Sequence, residues 1–465
     1  MKQSQFTEAE TEAFYDNEDS LYKSFWDSEG SLHWGYFENL NEVSAEDFIP
    51  GCQHWNQYML SHSGITQESR ILDLGCGNGN TAIWLAQQTG CKVVGVDISG
   101  IRIENAKSKA QEYPSLHLEF QKASATNLPF EDGSFTHVWS QAVLYHVHQR
   151  PKALKEIYRV LKQRGTFLFD DLVTPTQEIN EEARKYVYER LLFEPIFSLE
   201  SYKDFLTQLG FMVLAAKDLS LHLHKSYELL SELALPQYPS LSAAYEKMST
   251  AIKGNQVGWS FYLCKKVNDR LSWIYENSEK HSLEQKYDAW ASIYDTELDQ
   301  PYRCSPVQSA SALAKVLPNK DAMILDAGAG TGMVGEALAE LGYTNIVGVD
   351  LSLEMLKVAR KKQVYTALDQ GNLEEALSFA SKQSFDAILA VGIFTFGHVH
   401  PRALKSLSSL LKTDGYFVLT VRVDYYNDAE SLHEILKELP WNLISQEQFN
   451  IFETEPMYVL VFKKF

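Results

Sequence analysis

ILDLGCGNG, beginning at Ile71, and ILDAGAGTG, beginning at Ile324, are two versions of one phrase. Each is an apolar run that reaches an acid, Asp73 or Asp326, and passes into alternating glycines: Gly75, Gly77 and Gly79 in one, Gly328, Gly330 and Gly332 in the other. A strand that turns abruptly into a helix uses glycine there because backbone without a side chain can approach a ligand closely. A second acid follows in VVGVDIS and in IVGVDLS; Asp97 and Asp350 lie 24 residues beyond Asp73 and Asp326.

The repeat extends outward from these phrases. HVHQRPKALKEIYRVLK from His146 answers HVHPRALKSLSSLLK from His398, and GTFLF from Gly165 answers GYFVL from Gly415, at offsets of 252 and 250 against 253 for the glycine phrases. WSFYLCKKV around Cys264 answers MYVLVFKKF at the end of the chain. A duplicated domain is therefore expected, 1–270 and 283–465, with the boundary in the polar stretch 268–285. Within each half, short apolar runs alternate with helical patterns, which predicts a parallel sheet with helices on both faces. Strands are expected at 71–74, 92–96, 117–120, 135–139 and 166–169, and again at 323–325, 345–349, 364–367, 385–391 and 416–421. The fold class is α/β, two doubly wound Rossmann-like domains in tandem.

Composition excludes several functions. Acidic side chains number 61 against 42 basic ones, and the net charge of −19 opposes binding to nucleic-acid phosphates or an anionic membrane. Five cysteines without a CxxC pair argue against a disulfide framework or structural zinc. His146 with His148, and His398 with His400, have no acid or cysteine at ligand spacing, so no metal is expected. The start, MKQSQFTEAETEAF, does not read as a signal peptide, and no run approaches the roughly 18 apolar residues of a membrane span. A cytoplasmic protein with a small-molecule acceptor is expected, its oligomeric state left open.

The glycine phrases favour one cofactor over another. A dinucleotide site spaces its glycines G-x-G-x-x-G around a pyrophosphate. Here the glycines alternate behind an aspartate, which repels an anion and welcomes a ligand amine, while Asp97 and Asp350 are placed to accept ribose hydroxyls. The pattern resembles motif I of the class I S-adenosylmethionine-dependent methyltransferases. The resemblance implies S-adenosylmethionine as cofactor and S-adenosylhomocysteine as product, with Asp73, Asp326 and the glycines at the methionine part and with Ser124 or Asp369 at the adenine amino group.

The first half resembles something narrower. VWSQAVLYHV (from Val138), FDDLV (from Phe169) and SLESYKDFLTQLGFMVLAAKDLS (from Ser198) are similar to the N-methyltransferases of sarcosine, dimethylglycine and phosphoethanolamine, over roughly 14–232. FYDNEDSLYKSFWDSEGSLHWGYF, from Phe14, resembles the lid of that group and of the tocopherol and cyclopropane-fatty-acid enzymes. Tyr15, Tyr22, His33 and Trp34 are then expected in the pocket, and Tyr202 against the acceptor; an aromatic wall suits a methylated ammonium through cation–π contact. His146, just past the fourth strand, becomes a catalytic base with an ordinary pKa of about 6.5, with Tyr15 beside it. Those families carry an aspartate where this chain has Ala142, so either the acceptor differs or Asp171, at the end of the fifth strand, substitutes. The region 174–239 reads as an acceptor cap, against a shorter gap at 423–440 in the second half. YDAWASIYD, with Tyr287 and Tyr294, is the second half's lid. The expected activity is stepwise N-methylation of a small polar amine by two active domains; the alternatives are O- or S-methylation of a small metabolite, or a second domain that only senses cofactor.

Overall fold

Strands covered by helices on both faces are apolar throughout, and β1 (Arg70–Leu74) and β2 (Lys92–Asp97) are buried at every position after the first. The computed structural model describes residues 6–25, 33–175, 177–275, 282–302, 304–375, 377, 379–395, 397–451 and 455–465, with side chains at all of these except 18–25, 275 and 299–302. Contacts divide the chain into two compact units, Met1–Asn268 and Asp269–Phe465.

In the first unit, β1, β2, β3 (His117–Lys122), β4 (Phe135–Gln141) and β5 (Leu161–Val173) run parallel. Two strands that the sequence reading did not foresee as a pair complete the sheet: β6 (Phe211–Asp218) and β7 (Gly258–Lys266), antiparallel to each other, with β7 antiparallel to β5. The order is β3-β2-β1-β4-β5-β7-β6. The second unit repeats it as β10-β9-β8-β11-β12-β14-β13. Its strands are β8 (Ile324–Ala327), β9 (Ile346–Asp350), β10 (Ala367–Gln370), β11 (Phe385–Ala390), β12 (Leu411–Arg422), β13 (Trp441–Ile451) and β14 (Glu455–Lys464). β10 begins where the expected strand 364–367 ends, because Tyr365 turns into the core, with its hydroxyl on Asp326.

Side chains along β5 alternate between the two faces of the sheet. Phe167 and Phe169 join the cluster with Leu72, Phe135 and Tyr262, while Leu168 and Leu172 join Trp55, Trp139 and Trp259 on the other side. The CKK and FKK endings of the two halves have a shared purpose. Lys266 reaches back to the carbonyls of Tyr158 and Leu161 (2.7 and 2.8 Å), and Lys464 to those of Ser408 and Leu411 (2.7 and 2.8 Å). A buried ammonium thus satisfies the carbonyl end of the helix before β5 or β12.

The units differ in what lies beyond β5. Residues 174–239 are not a single cap: helix Leu199–Leu209 and β6 belong to the sheet layer, and the second unit has their counterparts in helix Glu430–Glu438 and β13. The extra covering comes from the π-helical turn Arg184–Glu189 and from helices Ser220–Ala234 and Pro239–Lys253, which pair with each other between β6 and β7.

Two loop positions give testable stabilities. A methyl at Gly75 would lie 2.3 Å from Val143 at a φ of +75°, so Gly75→Ala should cost about 3 kcal/mol in a denaturant titration, backbone and overpacking terms together. Ala142 stands at φ +56° where the second unit has Gly392 at +73°; Ala142→Gly should stabilise the first unit by up to about 1 kcal/mol.

Candidate functional site

The carboxyl ends of β1, β2 and β4 meet helix Glu8–Phe25 around a cavity of about 1050 Å³, its open mouth included. In the second unit β8, β9 and β11 enclose about 770 Å³ with helix Leu283–Trp290. Asp97 lines the first cavity, its Oδ2 accepting the N–H of Gly77 at 2.9 Å and its Oδ1 that of Ser99 at 2.8 Å. Asp350 repeats this on Gly330 (2.8 Å) and Ser352 (2.9 Å). Two N–H donors fix each carboxylate and leave its remaining lone pairs for the cavity.

Asp73 and Asp326 lie beneath the glycine turns, each with one oxygen, Oδ2 and Oδ1 respectively, that has no hydrogen-bond partner. Burial, with the neighbouring charge of Asp97, pushes Asp73 up to about 7. Burial likewise takes Asp326 to about 7, against the Tyr365 hydroxyl at 2.6 Å. An orphaned buried carboxylate oxygen is costly until a cation or donor reaches it. In front of each turn there is room: a Cβ at Gly330 would meet nothing within 4 Å, and one at Gly77 only Arg102 Nη1 at 3.8 Å. In the first unit a cationic amine at Asp73, backbone laid along the second glycine and a diol on the outer acid fit S-adenosylmethionine; in the second, Gly330 and Asp350 line the cavity and Asp326 lies buried behind it.

The adenine end departs from expectation in the second unit. Asp369 pairs in register with Val349, as Gln121 does with Val96, and does not line the cavity. Counting on through the loop, where Ala123 and Gly371 donate to the carbonyls of Asp97 and Asp350, makes Asn372 the equivalent of Ser124. Asn372 does line the cavity. Ser124 donates to Glu8 (2.6 Å), which the lid helix brings to the wall formed by Ala123 and Ala125.

The lid makes the same two contacts in both units. The Tyr15 hydroxyl is hydrogen-bonded to His146 Nε2, and the Tyr287 hydroxyl to His398 Nε2 at 2.8 Å. The Ser99 hydroxyl donates to Asp16, and that of Ser352 to Asp288. Sequence reading missed the aspartates, yet the Tyr-Asp dipeptide recurring before each glycine phrase was the signal. Arg102, a cavity residue also missed, stacks on the Tyr15 ring at 4.3 Å, where the second unit has Met355. His33 lines the first cavity; the side chain of Tyr22 is outside those described.

Four expectations need correction. His146 does not keep an ordinary pKa: burial, then the charges of His148, Arg102 and Arg150, push it down to about 3, so its imidazole is neutral. Trp34 is 2% exposed and packs edge-on against Trp259 at 5.5 Å, in the core and not in the cavity wall. Asp171, fully buried, accepts the Tyr145 N–H (2.7 Å) and the Tyr202 hydroxyl (3.1 Å), and neither it nor Tyr202 lines the cavity. The reason is strand alternation together with the sheet-layer role of helix Leu199–Leu209. Nor is Asp170 a substitute for the missing acid at Ala142: its carboxylate holds the indoles of Trp55 (2.8 Å) and Trp259 (3.0 Å) and the Ala142 N–H (3.1 Å). Among the described residues no group of His, Cys, Asp and Glu could hold a metal, and no helix is long and apolar enough to cross a membrane.

The family described as a methyltransferase domain matches twice, over residues 72–169 and 325–419. The glycine/sarcosine/dimethylglycine N-methyltransferase of Actinopolyspora halophila is 30% identical over 217 residues, 46% of this chain and 37% of that protein. The sterol 24-C-methyltransferase of Saccharomyces cerevisiae is 31% identical over 216 residues, covering 45% and 55%. The sarcosine/dimethylglycine N-methyltransferase of Halorhodospira halochloris is 29% identical over 217 residues, covering 46% and 76%. The chain thus spans about a third to a half of the length of the first two. One match on each glycine phrase, with the same sheet order in each unit, gives the chain two methyltransferase-type domains in tandem.

Proposed function

We propose that both domains transfer methyl groups to small-molecule acceptors, and that the first methylates a small polar amine stepwise toward a betaine- or choline-type product, the second performing further steps. The observation that carries this reading is the tyrosine–histidine pair that the lid completes beside each glycine turn. Identity of 30% and 29% to two amine N-methyltransferases supports the choice of acceptor.

Bound S-adenosylmethionine supplies an electrophilic methyl group on a positively charged sulfur. The protein's part is orientation. Asp97 and Asp350 would hold the ribose hydroxyls, and Asp73 would take the amine. With Nε2 unprotonated, Tyr15 donates in the hydrogen bond it shares with His146, and its phenol oxygen is left as an acceptor on the cavity side. That oxygen can accept an N–H of the acceptor amine and so orient its lone pair toward the methyl group, the amine's proton being released to water. Because the imidazole is neutral down to about pH 3, its lone pair is available at any working pH. The Asp16–Ser99 contact holds the same helix over the cavity and limits water there.

One observation favours a second reading, in which the second domain binds cofactor without methylating the same acceptor: it has no counterpart, among the described residues, of helices Ser220–Ala234 and Pro239–Lys253.

The full-length chain tests these readings. Calorimetry with S-adenosylhomocysteine should count two sites, and Asp97→Ala or Asp350→Ala should each weaken one of them by at least about 100-fold, the worth of two charged hydrogen bonds. Methyl transfer to sarcosine, dimethylglycine and phosphoethanolamine, followed by mass spectrometry, should lose some methyl additions in Asp97→Ala and the remaining ones in Asp350→Ala. Transfer only to hydroxyl, thiol or carbon acceptors would sink the amine assignment; loss of every methylation in Asp97→Ala, with one site still bound, would establish the second reading. His146→Ala should lower kcat by about 100-fold or more, and the wild-type pH–rate profile should lack a rising limb near pH 6.5 from this histidine.

A further inference from the structure

Two buried charges of the first domain are unused by the reaction above. Arg150 and Asp171 are both fully buried, with Arg150 Nη1 3.9 Å from Asp171 Oδ2. Arg150 opens helix Arg150–Val160, where the positive end of the helix dipole disfavours a cation, and a buried ion pair seldom repays its desolvation in stability. Its hydrogen bonds point to a different use. Arg150 Nε donates to the Leu144 carbonyl (2.9 Å), and Nη2 to those of Tyr145 (3.1 Å) and Glu194 (3.2 Å). Asp171 accepts the N–H of Tyr145 (2.7 Å). Tyr145 is therefore held by both its N–H and its carbonyl, immediately before His146 in the tight turn Leu144–His146. Glu194 lies in the segment that leaves the π-helical turn Arg184–Glu189 for helix Leu199–Leu209, and Phe193 packs under the guanidinium at 5.3 Å.

The second domain lacks this arrangement. Val421 occupies the strand position of Asp171, and the arginine after its histidines, Arg402, is solvent-exposed and paired with Glu374. The clamp is present in the domain with the extra helices and missing from the other.

We propose that Arg150 and Asp171 are positioning residues that fix the His146 turn and tie it to the base of the acceptor cap. The inference rests on the reading of the first domain as catalytic, so its test has one arm that needs no turnover. In that arm, the full-length chain with isotope-labelled histidine is observed by NMR without acceptor. Arg150→Met should shift and broaden the His146 ring signals and make the ring titrate at higher pH, since a cation that disfavours its protonation is gone. Arg402→Met should leave them unchanged.

The second arm uses an Asp350→Ala background to isolate the first domain. There Arg150→Met should lower kcat by about 10- to 100-fold, with affinity for S-adenosylhomocysteine within about twofold of the parent. Asp171→Asn, which keeps an acceptor for Tyr145, should retain most of the rate; Asp171→Val should not. Arg150→Lys should recover less than half of the loss, because a single ammonium cannot span three carbonyls. Should Arg150→Met fail to fold, Arg150→Lys and Asp171→Asn carry both arms. Unchanged His146 signals in every folded Arg150 variant would overturn the clamp, as would a loss of cofactor binding parallel to the loss of rate. If the parent methylates no amine but the His146 signals still respond, the functional reading fails and the clamp stands.

Discussion

The carboxylate at the tip of the second strand of each sheet is the constraint on which the sites depend. Asp97 and Asp350 bind the N–H of the middle motif glycine and that of the serine opening the next helix. One side chain thereby ties the loop after the first strand to the loop after the second, at the place where helix N-termini and open backbone gather. Those N–H groups would otherwise be orphans of a buried turn. The same bonds orient the carboxylate before any ligand arrives, so little ordering is left for binding to accomplish.

The lid builds on that serine. Ser99 and Ser352 cap their own helices, accepting the N–H of Arg102 and of Met355, and donate to the lid aspartates. The tyrosine preceding each aspartate reaches the histidine beyond the fourth strand. Cofactor loop, lid and acceptor-side turn therefore form one hydrogen-bonded circuit, present twice in the chain. Duplication preserved the circuit and changed what surrounds it: Arg102 against Met355, Gln141 against Val391, and a buried arginine clamp against an exposed ion pair.

Buried acids in the first domain serve unlike purposes. Asp73 has an oxygen with no partner facing the cofactor space, and Asp97 two fixed oxygens. Asp170 is saturated by two indoles and a backbone N–H, and Asp171 by Tyr145, Tyr202 and Arg150. All four are acids at strand ends, and only satisfaction of their lone pairs tells ligand site from scaffold.

The sequence by itself determined the tandem fold and the strand-turn-helix that carries each glycine phrase. Glycine spacing, the acid ahead of it and the acid 24 residues on are local features, dictated by a strand-turn-helix that sequence order alone specifies. The acceptor side was decided by tertiary structure. Asp171, Tyr202 and Trp34 have the right chemistry and the right neighbourhood in the chain, but strand alternation and helix packing turn them into the interior. Asp369 fell three residues short of Asn372, which lines the cavity. His146 was legible as a residue, and its state was not, because its pKa depends first on burial, and then on charges that include Arg102, which the fold brings to it from another helix. Short-range geometry is written in spacing; desolvation, and which face a side chain takes, are properties of the assembled core.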